Sequence, residues 1–508
     1  MKKSISLILA VVIILSTITS AGCSKADTTE YLTLDSFIQS TNEKNLEELQ
    51  KSSTYDEAEY LIDYENEVFT EDEKSALLTG GYNRITKEEA KQDIETLFKF
   101  LKRYYAAYTY FGGDEKFNNA KQEILNNIDS SPKSKFNSND LAEIIAPSLS
   151  FVYDSHFRIG NKQTFKEAYT YYETSKMEFY KDSNGYYTKI DDKVWYLPKE
   201  LEKYLKVTIG KSGELVYGMF AVVVDESTLP KEAELYNNSK KNKVNLTWVV
   251  SEVGGDQANV TQYREENGVP ISSLSFMDPN EFTSKQFNEF LNNSQKHAEK
   301  ENSILDLREN DGGIAEVDWL WVYGYTGEFT DITWSMLNYP FDVNTFENDV
   351  TVTYDSMFDE IDLIKNNPEI KTHFESVNKD YPPNAKMISS DNMFGVELDN
   401  LLENENKLFV LQSKHNYSSG ELFINMLHNV ENVLTVGTNT NGCIHTGMVS
   451  GVGLPNSGLG IGYSQAILIG ADKELDIYGI EPDIYIASED AEDAVLRCIE
   501  YYNNKAGE

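Results

Sequence analysis

The apolar run Leu408-Phe409-Val410-Leu411 is followed by a short loop and then by Asn416-Tyr417-Ser418-Ser419-Gly420-Glu421-Leu422-Phe423. This order predicts a strand, a turn and a helix, with Ser418 at the junction. A hydroxyl there meets the unpaired N–H groups and dipole of the helix start, which favour negative charge. The position suits an activated serine and the anion formed in acyl transfer. The same residues also fit a plain cap, because Ser418-x-x-Glu421 is a capping-box pattern. Ile304-Leu305-Asp306-Leu307-Arg308-Glu309-Asn310-Asp311-Gly312-Gly313 reads as a buried strand entering a Gly-Gly turn. Such a turn either exposes backbone N–H groups, as an oxyanion hole requires, or only reverses the chain. Val152-Tyr153-Asp154-Ser155-His156-Phe157 supplies an imidazole among aromatics, a general base or a structural histidine. Glu474-Leu475-Asp476-Ile477-Tyr478-Gly479-Ile480-Glu481-Pro482-Asp483-Ile484 supplies acids that orient an imidazole or merely solvate a turn. Lys414, His415 and His428 are alternative bases close to Ser418 in the chain. Cys443 and His445 form a further pair that would share a face of a regular strand, as a thiol enzyme would need. There is no His-Glu-x-x-His and no closely spaced Cys pair, so neither a catalytic metal nor another cofactor is expected.

These groups need elements to hold them. Residues 24–85 read as an acidic tether followed by marginal helices. Thr86 and Glu89 form a capping box, and Ala90, Ile94, Leu97, Leu101, Tyr104 and Tyr108 follow as one amphipathic stripe that ends at Gly112-Gly113. Further helices are expected over Glu115–Ile128 and from Ser138 to near Pro147, making 86–160 a small helical domain. Between 161 and 270, β-branched and aromatic runs (Gly185-Tyr186-Tyr187-Thr188, Tyr217–Val224, Val244–Val250) predict a β-rich middle domain. From 271 to 508, strands near Ser303–Leu307, Leu408–Leu411 and Val433–Val436 alternate with helices near Ser284–Lys300 and Gly420–Asn429. That alternation predicts an α/β layer with parallel pairing, interrupted by an insertion near 325–400.

The chain has 508 residues, 40% hydrophobic and 12% aromatic, which excludes a disordered polypeptide. At roughly 100–200 residues per domain, about three domains are expected. A net charge of −38 repels phosphate backbones, so no nucleic-acid partner is expected. Lys2-Lys3 and the apolar run Ile5–Leu15 read as a secretory signal too short to span a bilayer. It ends in Ser20-Ala21-Gly22-Cys23, which resembles a bacterial lipoprotein cleavage site with Cys23 acylated. The chain is therefore expected on the outer face of the membrane of a bacterial cell envelope, held there by lipid. Cys443 and Cys498 remain, paired or free.

Taken together, Asp306–Gly313, the Ser418–Glu421 helix start, Gly437-x-x-Thr440-x-Gly442, Leu454-Pro455-Asn456 and Gly479-Ile480-Glu481-Pro482-Asp483-Ile484 resemble the C-terminal processing (tail-specific) serine peptidases. The likeness is to the tricorn-protease-like and retinoid-binding-protein-like branch. It implies an α/β fold with a crotonase/ClpP-like βαβ catalytic core and a polypeptide substrate. It further implies Ser418 as nucleophile, with the N–H groups of Ser419 and of Gly312 or Gly313 as the oxyanion hole. One branch activates the serine with a lysine, whose place is held here by Cys443. The other uses a histidine preceded by a serine, which Ser155-His156 matches, and a downstream acid, here Asp476 with Glu474 in reserve. The resemblance also leaves open a catalytically inactive lipoprotein of the same fold that binds peptides or an apolar ligand. The family's PDZ signature is not found in 161–270, where Gly254-Gly255-Asp256 runs into Gln257-Ala258-Asn259.

Overall fold

The computed structural model describes residues 32–51, 69–79, 84–251, 261–277, 284–332, 335–339, 341, 361–377, 388–390, 396–470 and 475–506. The mixed α/β architecture expected from the sequence is present, and its centre is a six-stranded sheet. The strands run in the order Thr261–Glu266, Val269–Leu274, Asn302–Asp306, Lys407–Gln412, Val433–Gly437 and Ile484–Tyr485. The first pair is an antiparallel hairpin and every later pair is parallel.

The inner strands carry apolar residues at successive positions, such as Ile304-Leu305 and Leu408–Leu411, because both faces of the sheet are covered. Leu305, Leu408, Val410 and Val433 pack on one face with the helices Ser284–Ala298, Glu316–Thr326 and Ser419–Leu427. Ile304, Phe409, Leu411, Leu434 and Val436 pack on the other, against the helices Leu34–Lys51 and Ala491–Ala506. Strand Lys407–Gln412, helix Ser419–Leu427 and strand Val433–Gly437 form one βαβ unit, with Val410 registered on Thr435. Parallel neighbours need such a crossover, which leaves the turn before the helix at the carboxyl end of the sheet.

A second sheet carries the histidine side of the site. Its long strand Gly460–Ile469 pairs with Thr446–Gly453 on one edge, with Thr446 opposite Ile467. On the other it pairs with Ser335–Asn338 and, through Ile461 and Gly462, with Arg158–Ile159. That last pairing fixes the segment just after His156 beside the hairpin that begins at Thr446.

The helices Lys87–Tyr104, Gly113–Ser130 and Ser138–Ser148 pack on this second sheet. The expected stripe Ala90, Ile94, Leu97, Leu101, Tyr104 and Tyr108 is buried, but the helix ends at Tyr104, so Tyr108 and the expected stop at Gly112-Gly113 lie beyond it. The Thr86–Glu89 capping box is formed in both directions. Between 169 and 250 lie two antiparallel sheets around Phe179, Leu197, Met219, Leu235 and Leu246. The expected single run Val244–Val250 is divided there. Lys240–Asn245 forms the edge of one sheet and Trp248–Val250 the edge of the other.

Candidate active site

Ser418 sits at the sharp turn between its strand and helix with φ 52° and ψ −121°. A residue with a side chain rarely holds a positive φ, and such strain costs roughly 1–3 kcal/mol. The turn is held by polar contacts from the neighbouring strand end. Asn416 Nδ2 donates to Leu307 O at 2.6 Å, and Tyr417 N–H donates to Asn310 O at 3.0 Å. Two glycines allow the close approach. A Cβ on Gly312 would lie 2.6 Å from Tyr417 O and 3.0 Å from Ser418 Cβ, and one on Gly420 would lie 2.7 Å from Asn310 O.

The capping-box reading of Ser418 and Glu421 does not hold. Ser418 makes no side-chain cap bond. Glu421 instead reaches the turn after the next strand, where it accepts N–H bonds from Gly442 at 2.8 Å and Cys443 at 2.6 Å, and the Thr440 hydroxyl. Burial raises its carboxyl to about 7 in spite of those donors.

The N–H groups around the serine divide clearly. Gly312 donates its N–H to Asn310 Oδ1 at 2.9 Å. Gly313 is bridged to Met277 through its neighbours, with Met277 N–H donating to Gly312 O and Ile314 N–H donating to Met277 O. Among the described residues, neither the Gly313 N–H nor the Ser419 N–H has an acceptor. The Ser419 hydroxyl donates to Gly313 O at 2.8 Å, which ties the glycine turn to the helix tip.

His156 is buried, and burial lowers its pKa while Asp154 opposes the shift. Its ring stands edge-on to Tyr417, with centroids 5.4 Å apart. Nδ1 lies 3.2 Å from Cys443 Sγ and 3.4 Å from Thr446 Oγ1. Nε2 makes no hydrogen bond among the described residues, and none joins the imidazole to Ser418. The structure thus connects His156 to the serine turn through the ring of Tyr417, the residue before Ser418.

The remaining candidates are placed as follows. Asp476 is buried at the start of the helix Leu475–Tyr478, and its Oδ1 accepts the His445 N–H at 3.1 Å. It makes no hydrogen bond to His156, and burial with Asp154 nearby raises its carboxyl well above the usual range. The Ser155 hydroxyl donates to Gly442 O at 3.1 Å, not to a carboxylate. Glu474 and Cys23 lie outside the described residues.

Lys414 Nζ donates to Asn441 O at 2.7 Å, His415 Nδ1 lies 3.2 Å from Glu309, and His428 is partly buried, with desolvation lowering its pKa. Cys443 and His445 do not pair with each other. His445 packs at a tilt against Tyr110, and burial raises the Cys443 thiol, the reverse of what a thiolate nucleophile needs. Cys443 and Cys498 are both free thiols. Among the described residues, no three His, Cys, Asp or Glu side chains are grouped to hold a metal.

Sequence reasoning did not assign roles to Asp154, Thr446, Tyr417 and Asn310. Asp154 lay within the quoted Val152–Phe157 string, whereas nothing local distinguishes Thr446.

Residues 353–486 match the model of peptidase family S41. No curated protein matches the chain. Among solved structures, mature CPAF complexed with lactacystin is similar at 14% identity and a TM-score of 0.45, covering 82% of this chain and 99% of that one. A putative peptidase from Parabacteroides merdae has 13% identity and a TM-score of 0.40, covering 83% and 96%. The photosystem II D1 C-terminal processing protease has 12% identity and a TM-score of 0.34, covering 79% and 93%. The match to peptidase family S41 covers residues 353–486, and that part of the chain contains the Ser418 turn and its helix.

Proposed function

We propose that the chain is a lipid-tethered serine endopeptidase in which Ser418 is the nucleophile and His156 its general base. The observation that carries this reading is the Ser418 turn itself. A strained serine stands at a helix tip, beside two N–H groups, from Ser419 and Gly313, that have no acceptor among the described residues. Strain of that kind persists only where its surroundings enforce it, and it clusters at reactive groups.

In the reaction, Ser418 Oγ attacks the substrate carbonyl carbon as His156 Nε2 takes its proton. The carbonyl oxygen becomes an anion between the Ser419 and Gly313 N–H groups. The imidazolium then gives its proton to the departing amine, leaving an acyl ester on Ser418. Water, deprotonated by the same nitrogen, releases the acid. The absence of a hydrogen bond between Ser418 and His156 among the described residues suits an unliganded state, in which such contacts are often long. Asp476 supports the base indirectly, by holding the main chain of the segment that touches Nδ1.

The experiment is hydrolysis of casein and of neutral or basic peptides by the wild type and by Ser418→Ala. Cleavage by the wild type alone supports the reading. Equal cleavage by both removes Ser418 as nucleophile, and peptide binding without cleavage favours the inactive relative.

The tether is proposed from Lys2-Lys3, the apolar run after it and the small residues before Cys23. Among the described residues, no helix is long and apolar enough to cross a membrane. A Cys23→Ala chain that stays in the membrane fraction would count against lipid anchoring on the outer face of the cell envelope.

A further inference from the structure

Two groups on the Gly442–Thr446 segment face His156 Nδ1, Cys443 Sγ at 3.2 Å and Thr446 Oγ1 at 3.4 Å. Thr446 Oγ1 donates its proton to Asp154 Oδ1 at 2.7 Å, so towards Nδ1 it can only accept. A ring proton on Nδ1 meets that lone pair and leaves Nε2 free to act as a base. A base for Ser418 needs this tautomer.

Behind Thr446 stands a carboxylate that the reaction above does not use. Asp154 is wholly buried, and its Oδ1 lies 3.9 Å from Nδ1. The same oxygen takes the main-chain N–H of His156 at 2.8 Å, which locks acid and imidazole to one another. Oδ2 takes the Tyr105 hydroxyl at 2.9 Å and the Ser464 hydroxyl at 3.2 Å. Every contact of the carboxylate is thus with a donor, as an anion requires. The downstream acid Asp476 spends its Oδ1 on the His445 N–H and offers nothing to the ring.

We propose that Asp154, acting through the Thr446 hydroxyl, is the acid that fixes the tautomer of His156 and stabilises its protonated form. Both are positioning residues, since they act through the imidazole. The inference rests on the reading of His156 as the base for Ser418. When Nε2 takes the serine proton, Nδ1–H donates to Thr446 Oγ1, and the Thr446 proton stays in its bond to Asp154. No proton leaves the ring on that side. The other groups facing the ring are Arg158 from the following strand, Cys443 from the Gly442–Thr446 segment and Tyr417 from the serine turn. Glu421 and Asp476 act on Cys443 from behind.

The test compares Thr446→Val, Thr446→Ser and Asp154→Asn in the full chain, with kcat, KM and the pH profile of kcat/KM measured on one peptide substrate and folding checked by circular dichroism. Thr446→Val is expected to lower kcat about tenfold or more with little change in KM. Its acid limb should move to lower pH, because the imidazolium loses the acceptor backed by an anion. Thr446→Ser should restore both, and Asp154→Asn should resemble Thr446→Val. If Asp154→Asn does not fold, the two Thr446 variants decide. A folded Thr446→Val with wild-type kcat and an unshifted limb overturns the inference. So does a Thr446→Ser as impaired as Thr446→Val, since the methyl would then be what matters. Either result leaves the serine mechanism standing. A wild type that neither cleaves peptides nor reacts at Ser418 removes that mechanism, and this inference with it.

Discussion

The Tyr417 hydroxyl donates to the main-chain carbonyl of Ser155 at 2.8 Å, across 262 positions of sequence. One bond therefore links the residue before the serine to the residue before the histidine. It sets the approach of the two halves of the site, while the ring of Tyr417 packs edge-on against His156. Tyr417→Phe keeps the ring and removes the bond. A single hydrogen bond of this kind contributes about 1 kcal/mol. The variant should fold with a small loss in urea-midpoint stability and lose about tenfold or more in kcat, since small misplacements of reacting groups are costly. Unchanged kcat on a peptide substrate would mean that the bond does not set the geometry.

The Gly-Gly turn is predicted to tolerate nothing larger at its first position. Gly312 has φ +97°, and an added Cβ would crowd Tyr417 O at 2.6 Å. Gly312→Ala should destabilise the chain by roughly 1–3 kcal/mol in urea unfolding. It should also lose activity by pushing Ser418 and the Ser419 N–H out of place. A variant of wild-type stability and activity would refute the packing.

The pH profile follows from the burial of His156. The base must be neutral to act, and burial holds its pKa below the usual 6.5. The acid limb of kcat/KM should therefore have its midpoint below 6.5, with activity rising through it as pH increases. A midpoint at or above the ordinary imidazole value would contradict the neutral, buried base.

Glu421 predicts a pH-dependent stability of opposite sign. Burial raises its folded pKa to about 7 from the ordinary carboxyl value of 4.5. The folded chain thus holds a proton that the unfolded chain releases. This group's contribution is fully present below about 4.5 and is lost as pH rises through about 7. Thermal melts of the wild type and Glu421→Gln should diverge across that window, with the wild type losing ground as pH rises. A difference independent of pH would show that Glu421 does not titrate there.

The sequence made the central sheet legible because its strands are covered on both faces. Runs such as Leu408–Leu411 are then apolar at every position. Ser418 and His156 could be nominated from motifs. Their environments could not. The positive φ of Ser418 is held by Asn310 and Gly312 from the neighbouring strand end, together with Asn416 and Gly420 on either side of it. The partner of Glu421 is a turn on the far side of the next strand, so its local pattern imitated a cap. Thr446 reaches His156 only because Gly460–Ile469 pairs with both Thr446–Gly453 and Arg158–Ile159. Long-range antiparallel pairing of that kind leaves no mark in either short segment.

Reaction of the chain with a fluorophosphonate, with the modified residue located by mass spectrometry, tests the nucleophile most directly. Stoichiometric modification at Ser418, slowed strongly in His156→Ala and absent in Ser418→Ala, is the predicted result. Modification elsewhere, or none in a chain that still cleaves peptides, would contradict Ser418 as the attacking group.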